Sequence, residues 1–173
     1  MRIDMIYDGK KIEWPGRGLF RASSGLPGLQ VASEMCNPQG GPLPEGIYRI
    51  FIAERGDAVE EGTELCKLRP GWGIQTIPQG TSAGSCQQEW ANWGVNRARM
   101  EPYDSKTAQR CNPIFRGGFY LHDSMKGFSH GCIEVDRIIF SKLREQWKLT
   151  KKPFLLIEIK YEKNGITYGN TKL

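Results

Sequence analysis

Glycine and proline constrain the fold of this chain more than any other feature of the sequence. The 173 residues include 21 glycines and 10 prolines. Both residue types are disfavoured inside helices, whereas the turns that join short strands use them. The composition therefore predicts a mainly β fold and argues against a helical bundle.

Several segments have the pattern of β-strands. Apolar residues alternate between positions 3 and 7, up to a turn at Asp8-Gly9, and a second short run at 11–14 follows. That arrangement predicts a β-hairpin. Further strand candidates are residues 47–52, 115–121 and 154–161. The stretch 93–100 is compatible with a strand or a short helix.

One helix is predicted, directly after residue 135. Asp136 has the residue type of an N-cap, and Ile139, Leu143 and Trp147 follow at the spacing that places them on one helix face. This helix is expected to end near Lys148.

The size of the chain suits a single domain covering residues 1–173. Residues 54–88 lose clear periodicity, collect glycine and proline, and contain two cysteines, which predicts a long ordered excursion. The five cysteines suit two disulfides and one free thiol, although a fully reduced set is equally compatible. Four cysteines can pair in three ways, and the sequence does not choose among the pairings. The cysteines outside the chemistry discussed below are Cys36, Cys66, Cys86 and Cys111.

Charge and terminal sequence narrow the class of protein. The net charge of +5 favours an anionic partner, such as an acidic cell-wall polymer, a membrane face or nucleic acid. No basic run is interleaved with aromatic residues, so nucleic acid is not expected as the partner. The N-terminus has acidic residues and no apolar core segment, so no signal peptide is predicted, and no stretch has the length of a transmembrane helix.

Both histidines of the chain, His122 and His130, lie shortly before Cys132. A thiol is a weak nucleophile until its proton is removed, and imidazole has the pKa suited to that task near neutrality. The other cysteines have no histidine close by in sequence. These residues therefore predict a cysteine nucleophile with a histidine base, and Gly131 leaves room beside the thiol for an oxyanion-binding backbone.

Alternatives follow from the same residues. No histidine follows Cys132, which excludes the Cys-then-His order of papain-like peptidases, and the acidic residues after it argue against a phosphate-binding loop. Cys132 could instead be a buried structural thiol beside two hydrogen-bonded histidines. A zinc site built from His122, His130 and Cys132 would need a fourth ligand that the sequence does not indicate, so no metal and no cofactor are predicted.

The motif resembles that of L,D-transpeptidase catalytic domains of the YkuD type. Their motif is a histidine followed, after a loop, by Ser/Thr-His-Gly-Cys and a hydrophobic residue, matched here by His122 and residues 129–133. The short spacing between the two parts and the segment Gly-Pro-Leu-Pro-Glu-Gly-Ile-Tyr-Arg-Ile at 41–50 are more similar to a compact branch of antibacterial effectors delivered by type VI secretion. A departure is Glu134, where many family members carry arginine.

The resemblance implies a YkuD-like β-sandwich or partly closed barrel, with a helix after the catalytic cysteine. Cys132 would attack and His122 would be the base, with His130 as the competing candidate. Asp123 or Ser124 would orient the imidazole, while Ser129 and Gly131 would support the turn at the thiol. The candidates for holding a substrate carboxylate in place of the missing arginine are Arg116, Lys126 and Arg137.

The implied activity is cleavage or exchange of the terminal D-Ala of peptidoglycan tetrapeptide stems, as a transpeptidase or carboxypeptidase. An effector of this kind would act in the periplasm of a target cell and would need a cognate immunity protein as its partner in the producing cell. The alternatives are a wall-binding or inhibitory module with a structural thiol, and an endogenous wall-remodelling enzyme, which the absence of a predicted signal peptide disfavours.

Overall fold

The computed structural model describes all 173 residues and consists mainly of short β-strands. In chain order the strands are β1 (Met5–Tyr7), β2 (Lys11–Trp14), β3 (Gly18–Ser24), β4 (Gly46–Phe51), β5 (Glu54–Asp57), β6 (Ile74–Thr76), β7 (Asn96–Pro102), β8 (Phe119–His122), β9 (Ile133–Val135) and β10 (Phe154–Ile159). The mainly β expectation is confirmed. The predicted hairpin is present as β1 and β2, with Ile6 opposite Glu13.

Eight of these strands form a closed barrel. Its order is β4-β10-β1-β2-β3-β9-β8-β7, and the ring closes because β7 also pairs with β4. The β8–β9 and β1–β10 pairs are parallel, and the other neighbours in the ring are antiparallel. Because β4 and β7, the first and last strands of this order, pair with each other, the barrel is closed rather than partly closed.

Residues 54–88 extend the sheet beyond the barrel. Strand β6 pairs with the first half of β7, whose second half pairs with β4, and β5 adds to β6. The predicted excursion is therefore ordered by backbone pairing. A separate hydrophobic cluster, here called the cluster of residues 58–90, is formed by this segment and Trp90 and includes Ala58, Leu68 and Ile77.

The main core fills the barrel. It contains 25 buried residues, among them Phe119 and Leu121 of β8 and Ile133 and Val135. Because successive side chains of a strand point to opposite faces, the residues between them lie on the outer face of the barrel. This alternation therefore places the candidate active site, described below, on the outer face of the barrel.

Helices are few. They are α1 (Gln87–Trp90), α2 (Ser105–Ala108) and α3 (Ile138–Thr150), with 3-10 turns at Ala32–Glu34, Gly80–Ser82 and Gly84–Cys86. The predicted helix is α3, which buries Ile139, Phe140 and Leu143 against the barrel and extends two residues beyond Lys148. No helix combines the length and the apolar character required to cross a bilayer.

The predicted capping role of Asp136 is wrong. No side chain caps α3, whose N-cap residue is Arg137. The Asp136 carboxylate instead accepts hydrogen bonds from the backbone and the guanidinium of Arg21. The charge of Arg21 on the neighbouring strand β3 competes successfully with the helix amides for this carboxylate.

Candidate active site

Cys132 and His122 lie on neighbouring parallel strands. The register pairs Leu121 with Ile133 and His122 with Glu134, so Cys132, one residue before β9, is adjacent to Tyr120. The backbone N–H of Tyr120 donates to Cys132 Sγ at 3.3 Å. Tyr120 and His122 share the outer face of β8, so the thiol and the imidazole lie on the same face, one diagonal step apart.

Both side chains open into one cleft of about 530 Å³. Aromatic, glycine and charged residues line it, together with the candidate nucleophile and both histidines. The lining residues are Pro38, Glu89, Asn92, Trp93, Phe115, Arg116, Gly117, Gly118, Phe119, His122, Lys126, Ser129, His130 and Cys132. The cleft thus contains the motif that the sequence analysis identified, and its other lining residues come from distant parts of the chain.

Cys132 is the one free cysteine, and it is partly exposed. Burial of its sulfur raises the pKa of the thiol, while the Tyr120 amide and the guanidinium groups of Arg97, Arg99 and Arg116 oppose that rise. The other four cysteines form the disulfides Cys36–Cys111 and Cys66–Cys86. The resting thiol is therefore protonated at neutral pH and depends on a base for activation.

His122 is almost completely enclosed, with 4% of its surface exposed, and its Nδ1 has no hydrogen-bond partner. Trp93 packs edge-on against the imidazole, with ring centroids 5.6 Å apart. Burial lowers the pKa of His122 to about 3, the charge of Lys126 acts in the same direction, and hydrogen bonding to the Trp93 carbonyl opposes them. The ring is therefore neutral at physiological pH, and a neutral imidazole has one nitrogen able to accept a proton.

His130 occupies a different environment in the same cleft. Its side chain is exposed, and Cys132 Sγ makes no hydrogen bond with either imidazole. The ligand atoms of His122, His130 and Cys132 do not all lie within 4.8 Å of one another, which is the clustering that a shared metal ion would require. Of the two histidines, His122 is the enclosed one, and its Nδ1 has no hydrogen-bond partner.

Residues 129–132, here called the nucleophile turn, are fixed by serine hydroxyls. Ser129 Oγ accepts from the backbone N–H of Gly131 and of Gly25 and donates to the Cys132 carbonyl. Ser24 Oγ donates to that same carbonyl at 2.8 Å. Gly131 has φ of +123°, and a Cβ there would lie 2.3 Å from an Arg116 nitrogen, so only glycine fits.

The three candidate cations have different surroundings. Arg116 donates to the carbonyls of Met35, Gly41, Pro42 and His130, which occupies both terminal nitrogens of its guanidinium. Lys126 lines the cleft, donates to Asn92 Oδ1 at 3.0 Å and has no carboxylate partner. Arg137 does not line the cleft. Its Nε pairs with the Asp123 carboxylate at 3.1 Å.

Asp123 and Ser124 support the site without orienting the imidazole. The buried Asp123 carboxylate accepts from the backbone N–H groups of Val95 and Asn96 and from Arg137, which ties the loop after Trp93 to the barrel. The Asp123 carbonyl accepts from Arg137, and the Ser124 hydroxyl donates to Glu134.

Glu134, the departure from the family motif, is completely buried. Its carboxylate accepts from the backbone N–H groups of Lys126 and Gly127 and from the hydroxyls of Ser124 and Thr171. It therefore fixes the loop between His122 and Cys132 from behind and does not face the cleft.

Sequence reasoning missed several residues that build the site. Arg97 lies opposite His122 on β7, and its guanidinium stacks between the rings of Trp93 and Tyr120, 4.5 and 4.2 Å from their centroids. The alternation Arg97-Ala98-Arg99-Met100-Glu101 indicates a strand with one charged face and could have identified it. Ser24 is also essential to the turn, but it lies more than 100 residues away from Cys132 and carries no local pattern.

Comparison with known proteins adds no identification. No protein-family model matches the chain, and no characterised protein is found as a relative. The family resemblance therefore remains a prediction from the motif.

Proposed function

We propose that this protein is a cysteine-dependent acyltransferase of the L,D-transpeptidase type that acts on peptidoglycan stem peptides. The observation that carries the proposal is the pairing, in one open cleft, of the only free thiol with an enclosed neutral imidazole whose Nδ1 has no partner. A structural thiol would need neither the cleft nor the unused acceptor. The YkuD-like motif around both residues and the mainly β architecture support the same reading.

In the first half-reaction, Cys132 Sγ attacks the carbonyl at the L-centre of diaminopimelate in a tetrapeptide stem. The thiol and the imidazole are both neutral at rest, so the proton passes to His122 as the carbon–sulfur bond forms. The imidazolium then returns the proton to the departing amine of D-Ala. A thioester between the stem and Cys132 remains.

The acceptor of the second half-reaction determines the product. Water yields a shortened stem, a free D-amino acid yields an exchanged stem, and the side-chain amine of a second stem yields a cross-link. His122 takes the proton from the acceptor in each case, because the same base serves both directions of acyl transfer.

Lys126 is the candidate for binding a substrate carboxylate. Among the cations that line the cleft, Arg116 has four carbonyl acceptors, whereas the Lys126 amine has one amide oxygen and no anionic partner. An incoming carboxylate would supply the missing countercharge. Lys126 lies in the loop that joins His122 and Cys132 and lines the same cleft as both, so its charge is close to the reacting groups.

The setting of the activity rests on the resemblance alone. By that resemblance the protein is an antibacterial effector of the type VI secretion pathway that works in the periplasm of a target cell. Its partner in the producing cell would be an immunity protein that fills the cleft at Cys132.

Release of D-Ala from a stem tetrapeptide tests the proposal. Wild-type protein should release D-Ala, measured by mass spectrometry, and Cys132→Ala should not. A matched variant, Cys132→Ser, keeps the size of the side chain and should also be almost inactive, because a serine hydroxyl is far less acidic than a thiol. Equal inactivity of wild type and both variants, with the wild type binding peptidoglycan, would support the wall-binding module instead.

A further inference from the structure

The two disulfides occupy different positions relative to the nucleophile. Cys66–Cys86 lies inside the hydrophobic cluster of residues 58–90, and both of its cysteines are buried. Cys36–Cys111 joins two loops on the other side of the cleft, and Cys36 is partly exposed. Residues 35–43, which contain Cys36 near their start, pass beside the nucleophile turn and are here called the anchor segment.

Arg116 forms the first connection between the anchor segment and the nucleophile turn. Its guanidinium donates to Met35 O at 2.7 Å, to Pro42 O at 3.0 Å and to Gly41 O at 3.2 Å. The same group reaches His130 O at 3.5 Å and occupies the space that a Cβ at Gly131 would take. Movement of the anchor segment would therefore move the guanidinium that holds the turn.

Ser24 forms the second connection. The backbone N–H of Leu43, at the end of the anchor segment, donates to Ser24 Oγ at 2.8 Å, and Ser24 Oγ donates to the Cys132 carbonyl at 2.8 Å. The Leu43 end is also fixed to the barrel, because the Tyr161 hydroxyl donates to the Leu43 carbonyl. The disulfide holds the opposite end, where Met35 precedes Cys36.

We propose that Arg116 is a positioning residue for Cys132 and that the Cys36–Cys111 disulfide is the redox-sensitive anchor on which this positioning depends. With the disulfide formed, the carbonyls of the anchor segment are fixed and Arg116 holds the nucleophile turn. With the disulfide reduced, the Met35 end loosens and the turn loses its support. The part of the inference that concerns catalysis rests on the proposed function.

Thiol–disulfide exchange with a low-molecular-weight disulfide supplies the oxidising step. The thiolate of one cysteine, Cys36 or Cys111, attacks a sulfur of that disulfide, forms a mixed disulfide and releases one thiol. The thiolate of the other cysteine attacks the mixed disulfide, forms the Cys36–Cys111 bond and releases the second thiol. The two protein thiols are oxidised, and one small disulfide is reduced to two thiols. A protein made in a reducing compartment and moved to an oxidising one would thus become active on arrival.

The test compares Cys36→Ser/Cys111→Ser with the matched control Cys66→Ser/Cys86→Ser. In the first variant we expect D-Ala release to fall about 10- to 100-fold, since small displacements of a reacting group have costs of that size. Alkylation of Cys132 by iodoacetamide should become severalfold faster in the same variant, because a loosened turn exposes the sulfur. The control should keep the wild-type alkylation rate. If the first variant is folded and both of its rates equal those of wild type, the proposal is wrong.

Arg116→Gln shows whether Arg116 and the Cys36–Cys111 disulfide act on the nucleophile turn through the same contacts. Added to Cys36→Ser/Cys111→Ser, it should cause little further loss, whereas added to Cys66→Ser/Cys86→Ser it should cause its full loss. Full additivity with Cys36→Ser/Cys111→Ser would overturn the proposed route. Alkylation needs no substrate, so it still decides the positioning claim if wild-type protein itself releases no D-Ala and the proposed function fails.

A second measurement covers the case in which Cys36→Ser/Cys111→Ser does not fold. Folded wild-type protein is treated with dithiothreitol, peptide mapping identifies the opened disulfide, and oxidised glutathione then restores it. D-Ala release should fall as Cys36–Cys111 opens and return as it closes. Full activity in protein whose Cys36 and Cys111 are mapped as free thiols would overturn the proposal.

Discussion

The two sides of the cleft differ in the chemical character of the side chains that form them. The side that carries Cys132 is polar: the hydroxyls of Ser24 and Ser129 and the guanidinium of Arg116 hold the nucleophile turn through backbone groups. The side that carries His122 is mainly aromatic: Trp93 packs on the imidazole and against the cluster of residues 58–90, and the Arg97 guanidinium stacks on its ring. Each side has its own disulfide.

This contrast separates two requirements of a thiol–imidazole pair. Hydrogen bonds are directional, so the polar side fixes where the sulfur lies. Apolar burial is not directional, but it removes water from the imidazole and disfavours its charged form. In the proposed mechanism, the side that carries Cys132 therefore controls the position of the sulfur, and the side that carries His122 controls the protonation of the imidazole.

The largest expected effect separates the two histidines. His122→Ala should reduce D-Ala release about 10²- to 10⁴-fold, the usual contribution of a positioned general base. His130→Ala should have a much smaller effect, because His130 is exposed and makes no hydrogen bond with the sulfur. Single-turnover release by the two variants measures the difference. A complete loss of activity in His130→Ala with activity retained in His122→Ala would show that His130, and not His122, is the base.

The base side also predicts how stability depends on pH. An unfolded histidine titrates near 6.5, and folding lowers the pKa of His122 to about 3. Between these values the unfolded state binds the additional proton, so the free energy of unfolding falls as the pH decreases through this window. We expect a loss on the order of a few kcal/mol by about pH 4.

Urea unfolding at a series of pH values measures this loss. His122→Gln should flatten the dependence between pH 6.5 and the acid limit. A wild-type slope in His122→Gln would show that the imidazole is not desolvated as described.

The disulfides should differ modestly in their contributions to stability. Cys36–Cys111 closes a sequence separation of 75 residues, against 20 for Cys66–Cys86. Loop-closure entropy predicts that losing the longer bridge costs about 1 kcal/mol more in unfolding free energy. Chemical denaturation of the two paired serine variants compares them, and a larger loss from the shorter bridge would show that the apolar side depends on its disulfide for more than chain entropy.

The smallest expected effect concerns the positive charge of the Arg97 guanidinium. The Arg97 guanidinium opposes the burial that raises the pKa of Cys132, so Arg97→Gln should move the pH midpoint of iodoacetamide alkylation upward by a fraction of a unit. Arg21→Gln, which removes a guanidinium paired with Asp136, should leave that midpoint unchanged. A downward movement in Arg97→Gln would contradict the electrostatic assignment.

The elements that sequence predicted are those with strong local patterns. The hairpin, β4, β10 and α3 follow from alternation, turn residues or helical spacing within each segment. Strand β3 was missed because Gly18, Ser23 and Ser24 are poor strand formers, and its place is set by pairing with β2 and β9. Closure of the barrel depends on β4 meeting β7, a long-range pairing that no local pattern specifies.

The candidate site shows the same division. Cys132, His122 and Gly131 lie close together in sequence, so their chemistry could be recognised from the motif. Trp93, which encloses His122, comes from a loop whose position depends on β6 and β7, and Ser24 comes from a strand that was not predicted. The pairing of the four disulfide-bonded cysteines could not be assigned either, because it depends on which loops the closed barrel brings together.

Intact-mass analysis of the protein during turnover tests the central claim most directly. Wild-type protein quenched in acid after mixing with a stem tetrapeptide should carry an adduct equal to the stem minus D-Ala, and peptide mapping should place it on Cys132 as a hydroxylamine-sensitive thioester. His122→Ala should form the adduct far more slowly, and Cys132→Ala should form none. An unmodified Cys132 in protein that is releasing D-Ala, or an adduct on another residue, would contradict the account.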